Sequence, residues 1–136
     1  MEKHFFNPSN IHQPRGYTHA VAVDGGRTIF IAGQVAFDQQ GNLVGKGDLR
    51  MQAEKALENL VAALAASGAT PADVVKMNTY VVNYKSADLP VIRETRSRIF
   101  PADKPPASTL IGVQALAMDG LLIEIEAIAA INLAGR

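Results

Sequence analysis

The chain has 136 residues, of which 48% are hydrophobic and 19% charged, and its 13 basic side chains balance 13 acidic ones. That length suits one domain with one core over 1–136, and a net charge of zero provides no field to attract nucleic acid or a membrane surface. The absence of cysteine excludes disulfides, thiolate metal sites and a cysteine nucleophile, and it favours a cytoplasmic location.

The first stretch, MEKHFFNPSN, lacks the apolar centre of a signal peptide, and no apolar run in the chain reaches the roughly 18 residues of a membrane span. Residues 1–16 contain Pro8, Pro14, Asn7 and Asn10 and read as an irregular lead-in. Tyr17 to Val23 alternates like a short strand. Asp24-Gly25-Gly26 then predicts a tight hairpin into a return strand from Arg27 to Val35, because glycine accepts the positive φ angles of such turns. Gly33 inside that strand predicts a bulge or a close backbone approach.

Asp48 is placed to cap the longest helix and Gly68 to stop it. Between them Ala53, Ala56, Leu57, Leu60, Val61 and Leu64 recur at helical spacing as a buried stripe. Val74 to Val82 is a β-branched strand. A second helix is predicted over Leu89 to Phe100, capped by Asp88, with Leu89, Ile92, Arg96 and Ile99 on one face and Arg96 snorkelling from it. The last two strands, Ser108 to Val113 and Leu121 to Ala130, flank a corner at Met118-Asp119-Gly120 and read as a terminal hairpin.

This order predicts an α+β layer with both helices on one face of a mixed sheet. The strands are apolar on both faces, Ile29 and Ile31 against Phe30 and Ala32, Ile123 and Ile125 against Leu122 and Ile128. The face without helices therefore requires cover, and another copy of the chain is the expected one. Glu124 and Glu126 are carboxylates on one side of an otherwise apolar strand, and they need a partner, a wet cleft or a solvent face.

Gly16-Tyr17-Thr18-His19-Ala20, Ile31-Ala32-Gly33-Gln34, Lys104-Pro105-Pro106-Ala107 and Ile123-Glu124-Ile125-Glu126-Ala127 together resemble the Rid/YjgF family, also called the endoribonuclease L-PSP or translation-inhibitor group. The resemblance implies a chorismate-mutase-like fold assembled as a homotrimer, with the sheets as an inner barrel and small-molecule clefts between subunits. It also implies hydrolysis of reactive enamines and imines to 2-keto acids and ammonia. Carried across by motif, Glu124 is the catalytic glutamate that positions or activates water. Tyr17, Ala32 (where many members have serine) and Gly33 line the cleft, and Arg93 takes a helix position that is often asparagine.

Ser108 stands where those members carry the arginine that binds the substrate carboxylate. Arginine supplies two parallel charge-assisted hydrogen bonds, whereas serine supplies one neutral donor. At about 1.5–3 kcal/mol for a charged bond against roughly 1 for a neutral one, the exchange weakens carboxylate binding by one to two orders of magnitude. Either the substrate differs or another cation replaces it, with Arg15 and Arg93 as candidates. A ligand-binding or regulatory trimer that has lost the reaction is the alternative. RNA cleavage fits less well, since no basic stripe alternates with aromatics. His4, His12 and His19 have no metal-ligand spacing, so no metal and no cofactor are expected.

Overall fold

The longest helix begins where the chain supplies a cap. Asp48 is extended at φ −122° and its carboxylate accepts the Met51 N–H at 3.0 Å, opening α1 (Leu49–Ala66). Gly68 at φ +84° turns the chain out of the helix as predicted, with its N–H on the Ala65 carbonyl. Ala53, Ala56, Leu57, Leu60 and Leu64 are buried along one stripe, together with a polar residue, Gln52. Their cover is a sheet. This computed structural model describes residues 1–133; residues 134–136 of the expected single domain lie outside the described residues.

The strands are β1 (Glu2–Phe6), β2 (Ala20–Asp24), β3 (Arg27–Gln34), β4 (Val74–Val82), β5 (Ala107–Val113) and β6 (Ile123–Ile131), with α2 (Leu89–Ser97) between β4 and β5. Four of them form a mixed sheet in the order β3-β6-β4-β5, parallel only between β4 and β5, while β1 and β2 pair separately. Ile29, Met77, Val81, Ile123, Ile125, Ala127 and Ala129 point from this sheet into a core shared with α1 and with Ile92 and Phe100. The architecture is the expected α+β layer with its helices on one face.

Three expectations about strands are corrected. The lead-in is not wholly irregular, because Glu2–Phe6 runs antiparallel to β2 in register Lys3 with Val23. The Gly25-Gly26 turn does form, at φ +75° and +83°, but β2 and β3 diverge from it into different sheets. Burial decides this: β3 carries Ile29 and Ile31 into the core, whereas no residue of β2 is buried. Gly26 permits the divergence, since a Cβ there would lie 2.7 Å from the Ile131 carbonyl oxygen.

The terminal hairpin is the third. β4, α2 and β5 form a strand–helix–strand unit whose strands lie parallel and adjacent, so β6 takes the other side of β4. Residues 114–122 carry the chain across. The second helix is also shorter than predicted, ending at Ser97, and Asp88 does not cap it; its carboxylate instead accepts the Lys85 N–H at 3.0 Å in the preceding turn. Among the described residues, no helix is long and apolar enough to cross a membrane.

Candidate functional site

Alternation along β6 buries Ile123 and Ile125 against the helices and turns Glu124 and Glu126 to the open face of the sheet. Their surroundings differ. Glu126 accepts hydrogen bonds from the Tyr80 hydroxyl at 2.8 Å and the Asn78 amide at 3.1 Å, both on β4. These donors hold its carboxyl below the usual carboxylate range, the tyrosine contributing most, and the same bond raises the Tyr80 phenol. Glu124 has no hydrogen bond or ion pair to any described residue.

What positions Glu124 is a missing side chain. A Cβ on Gly33 would sit 2.6 Å from both Cδ and Oε2 of Glu124, so the glycine makes the recess in which the carboxylate lies. The expected irregularity is here too, as the β3–β6 register shifts between Ile31 and Gln34. Ala32, exposed on the open face, lines a groove with Lys76, Asn78 and Glu126. The entry to β6 is fixed by Gln52 of α1. Its buried amide accepts the Leu122 N–H at 2.8 Å and donates to the carbonyls of Gly120 at 2.9 Å and Gly45 at 3.1 Å.

The other predicted residues gather at the far end of β5. Thr18 pairs with Ala107, its N–H donates to the Pro106 carbonyl at 3.1 Å and its hydroxyl to that of Pro105. This lays residues 15–18 along the start of β5. Tyr17 bonds through its hydroxyl to His12 Nε2 at 2.8 Å and meets His19 edge to face at 5.5 Å. Arg93 and Arg15 line one cavity of about 400 Å³, with Arg96 between α2 and Gly16. Arg96 donates to the Gly16 carbonyl at 3.2 Å; burial first, and then the neighbouring Arg93 charge, lower its pKa.

The predicted residues thus form two groups. Ser108 is not across a hairpin from Glu124, because β4 lies between them: Met77 pairs with Ser108 and Tyr80 with Glu124. Two strand spacings and three residues of offset put their Cα atoms about 14 Å apart. They also face opposite ways, Ser108 with Leu110 toward the helix side and Glu124 away from it. Sequence reasoning named Arg96 only as a snorkelling side chain, gave Thr18 and His12 no part in the site, and passed over Gln52. Arg96 and Gln52 did leave a signal, each being polar within an apolar helical stripe.

This fold and arrangement define a class. Residues 9–131 match the family model described as endoribonuclease L-PSP. The chain is 36% identical over 121 residues, 88% of its own length and 90% of the relative's, to a 2-iminobutanoate/2-iminopropanoate deaminase of Dermatophagoides farinae. A Rid-family protein of unknown function, YyfB of Yersinia pestis, superposes with a TM-score of 0.90 at 46% identity, covering 96% of this chain and 100% of that one. RidA of an Antarctic Psychrobacter gives a TM-score of 0.69 at 31% identity, over 88% and 92% of the two chains. The chain belongs to the Rid (endoribonuclease L-PSP) family.

Proposed function

We propose that this chain is a hydrolase of reactive enamines and imines, acting in a cleft that two copies complete within a homotrimer. The observation that carries it is Glu124, a carboxylate set into the Gly33 recess with no partner among the described residues, two residues from a glutamate that accepts two hydrogen bonds. Its oxygens are open to water. In this reading Glu124 takes a proton from water as the water oxygen attacks the C=N carbon, and returns it to nitrogen to give the carbinolamine. It then relays the carbinolamine hydroxyl proton to nitrogen as the C–N bond breaks, releasing ammonia and leaving a carbonyl. The deaminase among its relatives supports the reaction class.

Two copies are invoked because Glu124 and Gly33 lie apart from Tyr17, Ser108 and Arg93 within one chain, and because β3 and β5 each end the sheet as an edge. An edge beside a neighbouring copy would bring the two groups together, with Ala32 on the shared face. Ser108 alters substrate choice relative to arginine-bearing relatives.

The test is ammonia release from imines generated in situ by an amino-acid oxidase, comparing the native protein with Glu124→Gln. The substitution keeps shape and removes the base, so kcat should fall by about 10²–10⁴. Equal turnover in the two proteins would sink the proposal.

A further inference from the structure

We infer that the cavity of Arg15, Arg93 and Arg96 is an acid-binding subsite that replaces the cation missing at Ser108, and that it selects organic acids with a ring-sized apolar body. This rests on the hydrolase reading for its purpose, but its physical basis is separate. Among the described residues, none of the three guanidiniums has a carboxylate partner, whereas Arg50 and Arg98 on the same helix pair are bonded to Glu94 at 2.6 and 2.5 Å. Arg93 and Arg96 are one turn apart on α2 and repel. Like charges held together beside a half-buried guanidinium are unfavourable in the empty protein, and an anion between them relieves this.

The geometry suits a ligand. Arg96 is already anchored on the Gly16 carbonyl. A guanidinium has five N–H donors, so others remain for a carboxylate, and the fork is oriented before the ligand arrives. The cavity also lies at the right end of the sheet. It is lined by Met77, the β4 partner of Ser108, and by Pro105 and Pro106 just before that residue.

The remaining wall sets the class of acid. Over the fully buried Met77, the accessible wall is apolar: Pro101 and Pro105 are half-buried, Ala102 is exposed and Phe100 shows 9% of its surface. At about 400 Å³ the cavity falls within the 300–1,000 Å³ range of small-molecule sites. A three- or four-carbon imino acid would engage the arginines and leave this wall uncovered, whereas a phenyl-sized group would cover it.

Calorimetric titration at low ionic strength with 3-phenylpropanoate, 3-phenylpropanamide and acetate tests this without requiring turnover. The aromatic acid should bind at least about tenfold more tightly than the amide or acetate. Arg93→Gln and Arg96→Gln should each weaken it about tenfold or more, while Arg98→Gln, paired with Glu94 and Glu54, leaves it within about twofold. If Arg96→Gln fails to fold, Arg93→Gln decides, since Arg93 is exposed and bonds to no described residue. Equal affinity for acid and amide, or binding indifferent to the Arg93 substitution, overturns the inference. Arginine-dependent binding in a protein that hydrolyses no imine upholds it and removes the hydrolase reading. Imine hydrolysis with probe binding indifferent to the arginines does the reverse.

Discussion

Glu124 and Glu126 differ by two positions on one strand, and the difference between them comes from what stands opposite. Tyr80 and Asn78 converge on Glu126, while Glu124 meets the bare backbone of Gly33. Gly33→Ala is therefore a selective perturbation. The backbone there is outside the left-handed region, so alanine is tolerated locally, but its Cβ would stand 2.6 Å from the Glu124 carboxyl carbon. The carboxylate is the movable partner and must shift. A displacement of about 1 Å at a reacting group costs on the order of 100-fold, so kcat for imine hydrolysis should fall by about that factor while the thermal midpoint stays within a few degrees. Unchanged kcat would mean that the recess does not set the carboxylate's position. Both residues stood out in the sequence, one as a glycine in a strand and the other as a charge in an apolar run. Their contact did not, because nothing in either stretch says that β3 and β6 are neighbours.

At the scale of elements, the legible features were those written locally. The Asp48 cap, the Gly68 stop and the β-branched run of β4 are short-range chemistry, and their bounds follow from it. Partner choice was not legible, since it depends on which strands compete for the helix-covered face. Gln52 shows the same limit: its spacing puts it in the α1 stripe, but only the folded chain reveals the three backbone groups that it satisfies. Gln52→Leu keeps the volume and leaves the Leu122 N–H and the Gly120 carbonyl without their partner, while the Gly45 carbonyl keeps the Asp48 N–H. At about 1–3 kcal/mol for each unsatisfied group, reduced by partial relaxation, the loss should be on the order of 3 kcal/mol in urea unfolding. Because the Leu122 N–H bond lies two residues before Glu124, hydrolysis should decline in the folded fraction as well. A loss below about 1 kcal/mol would show that the clamp is dispensable.

For the whole molecule, the open face of the sheet is less uniformly apolar than the strand pattern suggested. Lys76, Asn78, Tyr80 and Glu126 form a polar centre, with Lys76 donating to Thr109 at 2.9 Å and Glu126 tied to Tyr80. The apolar exposure lies toward the edges, with Phe30 on β3 at 75% and Ile111 on β5 at 46%. A polar centre between apolar edges suits strand edges that meet other copies, with water and ligand admitted between them. Sedimentation velocity should give a mass close to three chains. Phe30→Glu, placing a charge at the predicted edge contact, should shift the protein toward monomer. The arginine cavity is built within one chain, whereas the proposed cleft needs Glu124 from one copy and its other walls from a second, so the dissociated variant should still bind 3-phenylpropanoate while its imine hydrolysis falls at least about tenfold. A monomer with full hydrolytic activity would place the entire reaction within a single chain. Ser108, about 14 Å from Glu124 by strand spacing and offset and on the other side of the sheet, would then take no part in it.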